Sequence, residues 1–207
     1  MAPQAYRVIL FDLGGVLVDV ESLTALQRLL GRVLPEEELG QIWLTASSWV
    51  SLFESGGCTP EVFAAGIVDE WRLAVTADAF LDDFQRWPKC LWPGVPELLA
   101  TLAPRFTVAC LSNTNAVHWP YVRDVLGLSG LMHRYYLSHE IGHLKPSRAV
   151  FEHVLADLGC PPQQVLFLDD NQLNVDAARA VGLQAHRAVG IEEVHAVLRS
   201  LGLFEIA

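Results

Sequence analysis

Lysine is nearly missing from this chain: of its 14 basic residues, 12 are arginine, and only Lys89 and Lys145 are lysine. Basic charge is scarce altogether, 14 residues against 24 acidic ones, giving a formal net charge of −10 over 207 residues. That balance excludes a non-specific binder of nucleic acid or of an anionic membrane surface, since both need a basic face. Long apolar runs are missing too. Stretches such as residues 8–11 and 165–168 fall far short of the ~18 residues a helix needs to cross a bilayer. No basic region followed by an apolar stretch marks an export signal. Cysteine is sparse and scattered. Cys58, Cys90, Cys110 and Cys160 form no CxxC pair and no disulfide framework, so reduced thiols in a cytoplasmic protein are expected and cysteine-bound zinc is not.

What is present is a folding composition, 52% hydrophobic and 18% charged, in a length that fits one domain or a core with a modest insertion. Residues 7–12 form an apolar run ending in Asp12 and Gly14-Gly15, which reads as a buried parallel strand. Residues 21–87 then switch to helical periodicity, with stripes at Leu23, Leu26, Leu29 and Leu30 and at Val62, Phe63, Ile67 and Trp71. Thr59 before Pro60, and Thr76 before Asp78, are helix starts. Beyond Pro93-Gly94, strands predicted near 106–111, 135–137, 165–168 and 184–188 alternate with helices. This pattern implies an α/β fold, a doubly wound parallel sheet covered on both faces. Its core would be residues 1–18 and 90–207, with a helical cap over 19–89 inserted after the first strand.

In open parallel sheets, sites form at the carboxyl ends of the strands. Asp12, Ser112-Asn113-Thr114-Asn115 and Asp169-Asp170 all fall there, and Lys145-Pro146-Ser147 opens a later helix. Any one of these clusters reads equally well as a cap or turn. Together their chemistry converges on phosphoryl transfer. A carboxylate such as Asp12 can attack phosphorus, and Asp170 can share Mg²⁺ with it. Ser112 and the amide of Asn113 can hold a phosphoryl oxygen, while Lys145 neutralises charge in the transition state. Asp169 and Asp170 side by side repel unless a cation intervenes.

These segments resemble the four motifs of the haloacid dehalogenase (HAD) superfamily, in that family's order and spacing and across nearly the whole chain. They are Phe-Asp12-Leu-Gly-Gly-Val-Leu, Leu-Ser112-Asn-Thr-Asn, Leu-Lys145-Pro-Ser and Phe-Leu-Asp169-Asp170-Asn-Gln-Leu-Asn174-Val. The helical stretch resembles the cap of subfamily I. The details look most like the α-glucose-1-phosphate phosphatase group, with the N-terminal phosphatase of epoxide hydrolase as a cousin. The resemblance implies Asp12 as nucleophile and metal ligand, the carbonyl of Gly14 as second ligand and Asp170 as third. It implies phosphate binding by Ser112 and Asn113, charge neutralisation by Lys145, and metal-bound waters held by Asp169 and Asn174.

One position departs from the pattern. Most phosphatases of this superfamily carry a second Asp two residues after the nucleophile, as acid to the leaving group and base to water; here it is Gly14. Such acid–base help contributes about 10²–10⁴-fold. Either the leaving group needs little protonation, as an anomeric oxygen does, or another group substitutes. His118 and Asp19 are the candidates, although a surface or capping histidine and a helix-capping Asp19 are the plainer readings. His139 and His143 have helical metal-pair spacing, but Gly142 points to a solvated loop instead. Trp43, Trp49 and Phe53 could line a substrate pocket or simply be core, and Arg28 and Arg32 read as a solvated face. The leading expectation is a Mg²⁺-dependent phosphatase of a small phosphorylated metabolite. The alternatives are a 2-haloacid dehalogenase and a phosphate-binding relic that lost its acid–base residue.

Overall fold

The computed structural model describes residues 6–31, 33–35, 38, 39 and 48–204. Its first half runs β1 (Val8–Phe11), β2 (Val18–Val20), α1 (Ser22–Leu30), α2 (Ser48–Glu54), α3 (Pro60–Glu70), α4 (Ala77–Phe84) and β3 (Pro88–Leu91). After α5 (Val95–Leu102) come β4 (Thr107–Ser112), α6 (His118–Pro120) with a π-helical continuation over Tyr121–Val125, β5 (Arg134–Leu137) and α7 (Ser138–Ile141). The chain then closes with α8 (Arg148–Leu158), β6 (Val165–Asp169), α9 (Gln172–Ala180), β7 (Gln184–Arg187) and α10 (Gly190–Ser200).

Five strands pair in the order β5-β4-β1-β6-β7, all parallel. Their apolar residues divide by the period of two that a pleated strand imposes. Ile9 and Phe11 face α5 and α10, meeting Leu98, Leu99, Val194 and Leu198. Val8 and Leu10 face the opposite way, toward Val150, Phe151 and Val154 of α8 and Val175 of α9. Helices therefore cover both faces, which is why β1 and β6 are apolar almost throughout and fully buried. From β1 the sheet grows outward through β4 and β5, then the chain returns to β1's other side for β6 and β7. The crevice at that reversal, above β1, β4 and β6, is where such sheets bind ligands.

Helices α1 to α4 lie between β2 and β3 and have a core of their own. Phe53, Phe63, Phe80, Phe84 and Trp87 are buried together, with Phe53 stacked on Phe63 at 4.3 Å between ring centroids. Both predicted starts are real caps: Thr59 Oγ1 accepts from the Val62 amide, and Thr76 Oγ1 from that of Ala79.

Several expectations change. β2 and β3 form an antiparallel ribbon that the sequence did not reveal. Asp19 lies within it opposite Cys90, and α1 starts at Ser22 with Glu21 at the N-cap and no side-chain cap, so Asp19 does not cap it. His139 lies in the single turn α7, which Gly142 ends; His143 beyond it is exposed, and the two do not form a metal pair. Arg28 is not merely solvated, since it pairs with Asp83 at 2.9 Å. Trp43 and Arg32 lie outside the described residues. No helix among the described residues is long and apolar enough to cross a membrane.

Candidate active site

Asp12 continues β1, its amide bonded to Leu168 O at 2.8 Å. Its Oδ1 accepts from the Leu13 amide at 2.7 Å and lies 2.8 Å from Lys145 Nζ. Oδ2 makes no hydrogen bond among the described residues. Next to it, the chain turns at Gly15 with φ +72°, and a Cβ there would fall 2.5 Å from Asp170 Oδ2. Only glycine allows the β1 loop to approach Asp170 that closely.

Lys145 Nζ is bonded to Asp169 Oδ2 at 2.6 Å as well as to Asp12, and its side chain is only 1% exposed. Asp169 is fully buried and has every lone pair spoken for: the Asn171 amide at 2.8 Å and Asn174 Nδ2 at 3.0 and 3.1 Å complete its shell. Asn174, one turn into α9, thus holds Asp169 directly. Asn113 does the same for the lysine loop, donating to Lys145 O at 3.0 Å and accepting from its amide at 2.8 Å. That leaves the Asn113 side chain occupied, and the Ser112 hydroxyl with only a marginal 3.5 Å contact to Asn113 O.

Three carboxylates thus meet one ammonium, leaving two negative charges uncompensated when all are ionised. The titration behaviour reflects this. Burial pushes Asp12 up to about 7, against the pull of Lys145 and with Asp169 and Asp170 adding repulsion. Asp170 is raised by burial and by Asp169. Burial alone would lower Lys145, yet the two carboxylates outweigh it, so it stays protonated. Asp12, Asp169 and Asp170 are the one His/Cys/Asp/Glu group of three among the described residues whose ligand atoms all lie within 4.8 Å of one another. An all-oxygen anionic donor set suits a hard divalent cation, which would restore neutrality.

Above this floor is a cavity of about 620 Å³ whose lining includes Asp12, Lys145 and Asp170, with Ser112 and Asn113 on one wall. Its roof is α2, through Val50, Ser51 and Glu54. Phe53 on the same helix points into the aromatic core instead, and Trp49 packs against Gly66, so neither lines the cavity. The roof residues were not legible in the sequence. Their i, i+1, i+4 spacing marks one face of α2, but only tertiary packing tells which face meets the sheet.

A second cavity of about 160 Å³ adjoins the first, its lining including the apolar Leu13, Val18, Val20 and Trp87 together with Glu54, Ser112 and Thr114. His118 borders it. Phe84 O can only accept, so the 2.8 Å contact places a proton on His118 Nε2 and leaves Nδ1 to accept from Asn115. Burial pulls this imidazole down to about 4. It is a neutral, fully engaged tether between the helices and the sheet, neither a surface histidine nor a spare acid.

The family model for haloacid dehalogenase-like hydrolases matches residues 6–182. A D-ribitol-5-phosphate phosphatase of Bacteroides thetaiotaomicron is 24% identical over 186 residues, covering 85% of this chain and 88% of that protein. A solved HAD-like family hydrolase from Porphyromonas gingivalis is 26% identical with TM-score 0.74, covering 95% of this chain and 98% of that one. A HAD family enzyme of B. thetaiotaomicron, solved with magnesium and inorganic phosphate, has TM-score 0.74 at 23% identity, covering 89% and 94%.

Proposed function

The chain belongs to the haloacid dehalogenase-like hydrolases, and on that premise we propose that it is a Mg²⁺-dependent phosphatase of a small phosphate monoester. The observation that carries this reading is Asp12 at the floor of a cavity it shares with Lys145, Asp170 and Ser112. With Oδ1 anchored by the Leu13 amide and Lys145, Oδ2 is the oxygen that attacks phosphorus and forms an aspartyl-phosphate. Ser112 Oγ and the Asn113 amide receive the phosphoryl oxygens, and Lys145 offsets the charge gathering on them. Asp12, the Gly14 carbonyl and Asp170 would hold Mg²⁺; Asp169, expected from the resemblance to order its waters, has its lone pairs taken by Lys145, Asn171 and Asn174 and instead fixes Lys145 in place. The ion, when bound, supplies the positive charge that draws a phosphate dianion into this acidic site. The magnesium and phosphate in the B. thetaiotaomicron enzyme support the cofactor. The ribitol-phosphate phosphatase supports a phosphorylated sugar or polyol as substrate. A haloacid substrate is disfavoured by three carboxylates that would repel its own.

Phosphate release from p-nitrophenyl phosphate and a panel of sugar phosphates tests this, with Mg²⁺, with EDTA, and in Asp12→Asn. Turnover is expected to need the metal and to fall at least about 10³-fold in the variant. Chloride release from haloacetate without metal, or silence on every ester, overturns it.

A further inference from the structure

The two cavities share four lining residues: Gly14, Glu54, Ser112 and Asn113. Their meeting line divides a chamber floored by the charged Asp12, Lys145 and Asp170 from one walled by Leu13, Val18 and Trp87, where Glu54 is the only Asp, Glu, Lys or Arg among the described lining residues. A phosphate ester fits that division, with its phosphoryl group in the first chamber and its leaving group in the second. The bond that breaks then lies at the junction. Of the four residues there, Glu54 alone has a titratable side chain.

We propose that Glu54 is the acid–base group of this enzyme, delivered by α2 from above to do what Gly14, lacking a side chain, cannot do from below. The inference rests on the phosphatase reading. When Asp12 attacks, the bond from phosphorus to the leaving oxygen breaks, and its electron pair takes the proton of the Glu54 carboxyl, releasing the alcohol. The Glu54 carboxylate then removes a proton from water as that water's oxygen bonds to phosphorus. The bond from phosphorus to Asp12 breaks, and its electron pair returns to the Asp12 carboxylate. Phosphate leaves, and Glu54 is protonated once more.

Three further observations fit this role. The Glu54 carboxylate makes no hydrogen bond or ion pair among the described residues, so it is open to a substrate. Its backbone is fixed: Ser138 Oγ donates to Glu54 O at 2.6 Å while accepting from the Thr114 amide at 2.9 Å, tying α2 to the phosphate loop. Burial pushes its carboxyl up to about 7, with Lys145 pulling the other way, so it holds and yields a proton near neutrality. The other titratable groups nearby are Asp12, Lys145 and Asp170 in the first chamber, His118 in the second, and His139, whose carbonyl abuts Gly56 just past α2. His118 has both nitrogens engaged, and Lys145 is bound to two carboxylates.

The test compares an ester that needs a proton with one that does not. In Glu54→Gln with Mg²⁺, kcat/KM for glycerol phosphate should fall about 10²–10⁴-fold. For p-nitrophenyl phosphate, whose leaving group departs as an anion, kcat/KM should stay within a few-fold. Its kcat should nevertheless drop, leaving a burst of one equivalent of nitrophenol as the aspartyl-phosphate accumulates. A Cβ at Gly14 meets nothing closer than Val20 Cγ2 at 3.5 Å, so Gly14→Asp begins without a backbone collision. Added to Glu54→Gln, it should recover glycerol phosphate turnover at least tenfold. Equal losses on both esters, or no loss on either, overturn the role of Glu54 and leave the phosphatase standing. Silence of the wild type on both esters, matched by Asp12→Asn, overturns both. A melting temperature no lower than wild type shows that Glu54→Gln is folded.

Discussion

Lys145 is a buried base and His118 a half-buried one, and their surroundings hold the first charged and the second neutral. Lys145 sits between two carboxylates; removing it leaves the buried Asp12 and Asp169 facing each other unpaired. Breaking a buried pair in this way costs about 3–5 kcal/mol, so Lys145→Met should unfold at correspondingly lower denaturant, by urea titration at pH 7. His118 is held neutral, with its pKa depressed to about 4 from an ordinary ~6.5. Between those values the unfolded chain binds more protons than the folded one. The stability His118 contributes is therefore complete above about pH 6.5 and lost as pH falls toward 4, by ~2–3 kcal/mol. His118→Gln lacks this titration. Its stability relative to wild type should improve by that amount on going from pH 7 to 4; a pH-independent difference would refute the neutral tether. Glu54 runs the other way, since a raised carboxyl binds its proton more tightly when folded. Stability is lost as pH rises through about 7, and Glu54→Gln should melt above wild type at pH 8.

At the scale of elements, the seam between α2 and α7 decides how well the roof is placed. Gly56, just past α2, has φ +74°, and a Cβ there would overlap the His139 carbonyl oxygen. Gly56→Ala adds left-handed strain to a backbone collision, so it should cost at least ~1 kcal/mol and displace Glu54 with the helix end. Activity toward glycerol phosphate should fall more than activity toward p-nitrophenyl phosphate, as measured by kcat/KM for each. What the sequence made legible follows the range of the interactions. Asp12, Ser112, Lys145 and Asp169-Asp170 stand out because each sits at a strand or helix end where local chemistry marks the position. The caps at Thr59 and Thr76 are local too. The ribbon of Val18–Val20 with Pro88–Leu91 escaped notice because each strand is three or four residues long and its partner lies far along the chain. The π-helical turn at Tyr121–Val125 carries ordinary helix periodicity. Glu54 was hidden for the same reason as the ribbon: its address is tertiary.

Over the whole molecule, a net charge of −10 makes a phosphate dianion an unwelcome guest unless a cation comes first. The three-carboxylate floor concentrates that problem and its remedy in one place. Mg²⁺ binding to the folded state alone should raise stability by ~2.7 kcal/mol at a hundredfold excess over Kd. Adding Mg²⁺ should raise the melting temperature, and Asp170→Asn should weaken that response; an unchanged melting curve in both would count against a metal at this floor.

The β2–β3 ribbon gives the molecule a particular modularity. The chain leaves by β2 at Val20 and returns by β3 at Pro88, its paired neighbour, so the detour between them enters and exits at one place, with Ser138 and His118 adding ties at Glu54 and Phe84. Any detour whose ends meet there would leave β1 and β4 in register and the nucleophile where it is. In an enzyme with its acid on the β1 loop, exchanging the detour would change only what is recognised. Here the proposed proton donor travels with the detour. An exchange would therefore strip out half of the chemistry along with the selectivity, and a graft would succeed only if it brought its own carboxylate or if one were restored at Gly14.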